Sequence, residues 1–235
     1  MRRWTVCWTH ATVRRTWAFR SVGGQPAKRG CLITVEGIDG TGKSTHVGLL
    51  ATLLAEHGYR TVITREPGAT PLGREVRRLV LETDLALTPT AELLLFLADR
   101  AEHVARVIQP ALAGGAIVLC DRFSDSTIAY QGYGRQADLT HVQRWDVESR
   151  DGLSADLTLL LDCPVSLAVQ RRRRDADRYQ ALDPAFHQRV RDGFLALAAA
   201  APERVRRIDS SGDLAVVRTE VARVTLAWLA TRQER

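Results

Sequence analysis

The segment Gly37-Ile-Asp-Gly-Thr-Gly42-Lys43-Ser44 has the spacing G-x-x-x-x-G-K-[ST]. Glycines at these positions let backbone N–H groups wrap phosphate oxygens, and the N-terminus of a following helix adds its dipole. Lys43 is placed to reach β- and γ-phosphates, and Ser44 offers a hydroxyl to magnesium. Of the 33 basic residues only Lys28 and Lys43 are lysines. A chain that otherwise uses arginine keeps one compact ammonium at this spot. Alone, the motif implies a binder of nucleotide phosphates. The Asn-Lys-x-Asp element of GTP-specific proteins is missing, since the chain contains no asparagine.

Two further groups carry charge where phosphate chemistry needs it. Asp121-Arg122-Phe123 follows an apolar run, so Asp121 is placed to hold magnesium and Arg122 to fork a second phosphate. Arg171-Arg-Arg173-Arg174 is the densest positive run after the first 30 residues. On a surface helix such a run is a solvated face. Over a bound nucleotide it is a mobile lid whose arginines neutralise charge on the transferring phosphoryl group. They cannot all face one way, so at most two of them reach the phosphates.

The elements that must position these groups alternate. Residues 31–36, 60–65, 116–120, 156–163 and 204–208 read as strands, the fourth nearly all apolar, as a strand buried on both faces is. Residues 44–57, 72–82, 90–112 and 214–228 read as helices. Strand–helix alternation predicts an α/β fold, a five-stranded parallel sheet wrapped by helices in a single domain. The phosphate motif falls between the first strand and the first helix, the context it requires.

Composition bounds the rest. The chain has 235 residues, 45% hydrophobic and 26% charged, which is globular usage and no coiled coil or low-complexity polymer. No apolar run reaches the ~18 residues of a membrane span. The net charge of +6 is not spread evenly: residues 1–30 hold seven basic and no acidic residues, leaving 26 basic against 27 acidic in 31–235. A diffuse nucleic-acid surface on the body is therefore not indicated, and the basic segment stands apart. An unstructured extension, an organelle leader and an early-placed start all remain open for that segment. Four cysteines without C-x-x-C spacing read as buried thiols in a reducing cytoplasm.

The chain from about 31 to 232 resembles the bacterial thymidylate kinases, P-loop nucleoside-monophosphate kinases. The resemblance rests on Val35-Glu-Gly-Ile-Asp-Gly-Thr-Gly-Lys-Ser-Thr45, Thr64-Arg-Glu-Pro-Gly68, Phe96-Leu-Ala-Asp-Arg100-Ala-Glu-His103, Asp121-Arg-Phe-Ser-Asp-Ser126-Thr-Ile-Ala-Tyr130-Gln-Gly132 and Asp177-Arg178. It implies ATP-dependent phosphorylation of thymidine monophosphate with magnesium, in a cytoplasmic homodimer, with a lid over about 171–182. The homodimer would form through the helix over 90–112. ATP would lie along Gly37, Ile38, Asp39, Gly40, Thr41, Gly42, Lys43, Ser44 and Thr45, with Ser44 and Asp121 on the metal. By the same resemblance Phe96 stacks on thymine and Arg100 donates to its carbonyl, with Ser126 or Thr127 completing the readout. Tyr130, with Gln131 beside it, would pack under the deoxyribose. Arg77 and Arg122 would hold the acceptor phosphate, Glu66-Pro67 would wall the pocket, and Asp39 would lie near the 3′-hydroxyl and the metal. One branch of the family carries arginine at position 40, where this chain has Gly40. The catalytic arginine is then expected from the lid, among Arg171, Arg173 and Arg174, beside Lys43, Arg122 and Asp39. Gln180 stands where many relatives carry an acidic residue.

Overall fold

A computed structural model of the chain describes residues 30–83, 85–171, 179 and 183–233. The basic segment 1–29 and the lid arginines Arg172 to Arg174, with Asp177, Arg178 and Gln180, lie outside the described residues.

Five strands form one sheet: β1 (Cys31–Glu36), β2 (Thr61–Arg65), β3 (Ile117–Asp121), β4 (Leu157–Asp162) and β5 (Val205–Asp209). Their order is β2-β3-β1-β4-β5, every pairing parallel. Side chains alternate between faces. Ile33, Val35, Leu119, Leu157, Leu159 and Leu161 enter one core, with Leu32, Val118 and Cys120 on the opposite side. Because both faces are covered, β1 and β4 are buried along their whole length, as their unbroken apolar runs predict. The edge strand β2 is less buried, with Ile63 57% exposed.

Helix α1 (Lys43–Glu56) packs Val47, Leu50 and Leu54 on the first face, beside Val217, Val221 and Leu229 of the closing helix Leu214–Gln233. Helix α2 (Pro71–Leu81) begins at Thr70, whose side chain accepts from Gly73 N–H, with proline at the first position, where its missing N–H costs nothing. Cys31, Cys120 and Cys163 are buried free thiols, as expected.

The expected single helix over 90–112 is interrupted. Helix α3 (Pro89–His103) runs into a π-helical segment, Val104–Ile108, and then into α4 (Gln109–Ala113). Pro110 has no N–H to donate and its ring crowds the preceding turn, so a widened turn just before it is the expected accommodation. Sequence periodicity missed α5 (Ser124–Thr127) with the π-helical segment Ile128–Gly134, and α6 (Leu139–Ser149). Between them and the closing helix lie α7 (Val165–Gln170) and α8 (Pro184–Ala200), the latter read only at its alanine-rich end. The Leu214–Gln233 helix is α9.

Candidate active site

The strand order reverses around β1, whose neighbours β3 and β4 leave by opposite routes. Parallel α/β sheets open a crevice at the carboxyl ends of the strands at such a point. Here that edge opens into a cleft of about 840 Å³. Register aligns its components: Val35 and Arg65 both pair with Asp121, so the ends of β1, β2 and β3 finish level.

The phosphate loop leaves β1 through Gly37, Gly40 and Gly42, with φ of 136°, 95° and 90°. Gly42 N-caps α1 in the left-handed region, no side chain caps that helix, and no acidic residue occupies its first turn. Its first N–H groups are thus available to an anion. Lys43 Nζ donates to Ile38 O at 2.9 Å and lies 3.7 Å from Asp39. Burial lowers its pKa, and Arg122 adds to that. Ser44 Oγ donates to Asp121 Oδ2 at 2.5 Å, so the two candidate metal ligands meet. Two hard oxygens suit a magnesium ion that keeps waters and phosphate oxygens as its other ligands. Among the described residues no cluster of three or more His, Cys, Asp or Glu could hold a metal instead. A Cβ on Gly40 would come within 2.1 Å of Ala168 O, so the loop has no room for a side chain there.

Arg122 occupies the sharp turn after β3 with φ 70°. That conformation costs a non-glycine residue about 1–2 kcal/mol, so its surroundings must hold it. Its N–H donates to Val35 O at 3.1 Å, and Cys120 Sγ donates to its carbonyl at 3.0 Å. The guanidinium donates to Gly37 O, Ser126 Oγ, Asp39 Oδ1 and Tyr130 Oη at 2.9, 3.1, 2.5 and 3.1 Å, and lies 5.0 Å above the Tyr130 ring. Burial alone would raise the Asp39 carboxyl, but Arg122 and then Lys43 hold it well below the usual range. Tyr130 moves the other way, chiefly by burial, and remains a phenol that donates to Asp39 Oδ2 at 3.0 Å.

The floor of the cleft is a buried ionic network. Arg100 Nε donates to Glu66 Oε2 at 2.9 Å, Nη2 pairs with the same carboxylate at 2.8 Å, and Nη1 donates to Thr127 Oγ1 and Asp146 Oδ1. Although burial opposes its charge, Glu66 and Asp146 keep the guanidinium firmly protonated. His103 Nδ1 contacts Glu66 Oε1 at 2.8 Å, and its Nε2 contacts Thr64 Oγ1 at 2.6 Å. Arg77 donates to Pro67 O at 3.2 Å, and both line the cleft with Phe96, Ser126 and Gln131. Gln131 donates to Tyr179 Oη at 3.0 Å, and Tyr179 packs on Tyr130 and Phe96 with centroids 5.6 and 6.2 Å apart. Arg171 also lines the cleft, its guanidinium donating to the carbonyls of Ser210, Ser211 and Gly212.

Of the candidate residues among those described, all but Gly37 and Ile38 line this one cleft; Gly37 O accepts from Arg122 beside it, and Ile38 is buried under the phosphate loop. Sequence reasoning assigned no part to Glu36, His103 or Asp146, which are buried under it. The readable signal was an ionisable residue closing a nearly all-apolar strand, Glu36 at the end of β1; Asp146, in the mostly polar helix α6, gave no such signal.

The thymidylate kinase family model matches residues 35–221, from the end of β1 into α9. The chain belongs to the thymidylate kinase family. It is 46% identical over 207 residues to a thymidylate kinase of Trichlorobacter lovleyi, covering 84% of this chain and 98% of the relative. A thymidylate kinase of Gloeobacter violaceus is 51% identical over 182 residues, 76% of this chain and 86% of that one. The crystal structure of thymidylate kinase from Ehrlichia chaffeensis superposes with a TM-score of 0.71 at 38% identity, covering 84% of this chain and 99% of that one. The expected fold, five parallel strands with a P-loop, is therefore the fold of this family.

Proposed function

We propose that the chain transfers the γ-phosphoryl group of ATP to the 5′-phosphate of thymidine monophosphate, giving ADP and thymidine diphosphate. The observation that carries this reading is the position of Arg122. It presents a second cationic centre to the same cleft as Lys43, joined to it through Asp39. One centre suits the donor's phosphates and the other a phosphate already present on the acceptor. A nucleoside kinase would instead need a base for a free 5′-hydroxyl.

The transferring group needs positioning and neutralisation of charge, with no covalent intermediate on the protein. The open N-terminus of α1 and the Lys43 ammonium hold the donor phosphates. Arg122 exchanges its bonds to Asp39 and Tyr130 for the acceptor phosphate. Arg100 hydrogen-bonds through Nε and Nη1 to Glu66, Thr127 and Asp146, leaving Nη2, ion-paired with Glu66, as the group with N–H to offer a base carbonyl. Phe96 supplies a flat apolar wall for the base, and the Tyr130 ring crowds the sugar where a ribonucleotide carries its 2′-hydroxyl. Ser44 and Asp121 would hold a magnesium ion brought with the nucleotide, which would supply positive charge to the phosphates. Charge on the γ-phosphoryl oxygens beyond the reach of Lys43 falls to Arg173 and Arg174. The enzyme works as a cytoplasmic homodimer joined along the helical stretch over 90–112 and its neighbour. Among the described residues no helix is long and apolar enough to cross a membrane.

The test is ADP release with thymidine, its monophosphate, and the cytidine, guanosine and adenosine monophosphates. Thymidine monophosphate is expected to be the best acceptor. Preference for thymidine itself or for a purine monophosphate overturns the reading.

A further inference from the structure

Glu36 is fully buried at the end of β1, one residue before the phosphate loop. Both of its oxygens are taken by the turn that follows β3. Oε1 accepts from Phe123 N–H at 2.7 Å, and Oε2 accepts from Ser126 Oγ at 2.6 Å. Ser126 Oγ in turn accepts from Arg122 Nη1 at 3.1 Å. One side chain therefore grips the backbone directly after the left-handed Arg122 and, through a hydroxyl, the guanidinium of Arg122 itself.

A carboxyl at this depth is a poor choice for packing alone. Burial disfavours its charge, and the neighbouring Asp125 disfavours it further. An apolar residue would fill the strand end as well. What an apolar residue lacks is a pair of acceptors for groups 87 and 90 residues away in sequence. A residue in the left-handed region persists only where its surroundings over-determine it, and these bonds supply much of that determination.

We infer that Glu36 is a positioning residue for the acceptor phosphate: through the Phe123 amide and the Ser126 hydroxyl it holds the Arg122 guanidinium in the direction that phosphate requires. The inference rests on the reading of Arg122 given above.

The test compares binding of thymidine monophosphate with binding of thymidine by calorimetry, in wild type, Glu36→Ala, Glu36→Gln, Arg122→Ala and Glu36→Ala/Arg122→Ala. Arg122→Ala should weaken the monophosphate by roughly 10–100-fold and thymidine hardly at all. Glu36→Ala should weaken the monophosphate by about tenfold, leave thymidine within about twofold, and add nothing once Arg122 is gone. Glu36→Gln keeps one acceptor oxygen and should fall between wild type and Glu36→Ala. If Glu36→Ala does not fold, Glu36→Gln and its double with Arg122→Ala carry the same comparison. Equal losses for both ligands, additive losses in the double variant, or no loss at all overturn the inference and leave Glu36 a support of the strand end. A wild-type protein that turns over another monophosphate in preference sinks the substrate reading first, and is seen before any variant is made.

Discussion

Ser44 Oγ and Asp121 Oδ2 meet at 2.5 Å although 77 residues separate them in sequence. One opens α1 and the other ends β3, and only the parallel pairing of β1 with β3 sets them side by side. Asp121→Asn should raise the magnesium concentration needed for half-maximal turnover by about tenfold or more, because the amide carries no charge to attract the ion. Ser44→Ala should act in the same direction. A magnesium titration of the steady-state rate checks both, and an unchanged midpoint in Asp121→Asn would remove Asp121 from the metal.

Lys43→Ala should lower kcat by several orders of magnitude and leave the melting temperature close to wild type. Its ammonium makes one backbone hydrogen bond and one longer ion pair, and its burial is unfavourable, so the fold gains little from it. Turnover and calorimetric melting on the same preparation separate the two effects.

The lid arginines should not behave alike. Arg171 has three N–H groups engaged with the carbonyls of Ser210, Ser211 and Gly212, which ties α7 to the loop before α9. Arg171→Ala should lower the melting temperature and raise the KM for ATP. Losses of roughly 10²–10³-fold in kcat with little change in acceptor KM should fall on Arg173→Ala or Arg174→Ala. Single-residue kinetics across the run decide it. Near wild-type kcat in both would return the cluster to a solvated face.

Asp99 gives a stability prediction with a definite sign. Burial above all, and Glu66 next, push its carboxyl up to about 6 from the ordinary 3.8. The folded state therefore holds this proton more tightly than the unfolded chain does. The associated stability is complete below about pH 4 and is lost as pH rises through 6. Asp99→Asn removes that loss while its amide oxygen can keep the Gly68 N–H bond. The variant's melting temperature relative to wild type should rise between pH 5 and pH 7.5, by an amount corresponding to at most about 1.4 kcal/mol, the rest of the change falling below pH 5. A constant difference across that range would show that Asp99 keeps its ordinary affinity for protons.

Removal of residues 2–29 should change neither kcat nor melting temperature by a measurable amount. Among the described residues, every one that lines the cleft lies at position 39 or beyond. The first described residue, Gly30, donates to Leu112 O and is packed so closely on Ala116 that a Cβ would come within 2.0 Å of its carbonyl. Steady-state kinetics and calorimetry on the shortened chain check this.

The strands and the phosphate loop were legible in the sequence because their signals are local: unbroken apolar runs, a glycine spacing, one lysine. The segment from Ser124 to Gly134 was legible as a motif but not as helical structure. Its buried residues include Asp125, Ser126, Thr127 and Gln131, so it shows no apolar stripe. The network beneath the cleft was the least legible part. Glu66, Arg100, His103 and Asp146 lie on different elements and become partners only when β2, α3 and α6 converge. The turn at Arg122 was equally hidden, since nothing about an Asp-Arg pair announces a left-handed arginine.

Lysine usage gives the protein an unplanned chemical handle. Past Lys28, Lys43 is the one primary amine on any side chain, and it lines the cleft at the start of α1 where the proposed function places the donor nucleotide. Burial lowers its proton affinity, so at a given pH more of it is the free amine than in an ordinary lysine. An amine-directed acylating reagent applied to residues 31–235 can therefore mark only this side chain and the chain's own terminus. Shielding of that mark, read by mass spectrometry of the intact chain, becomes a stoichiometric gauge of how much of the enzyme holds a donor nucleotide.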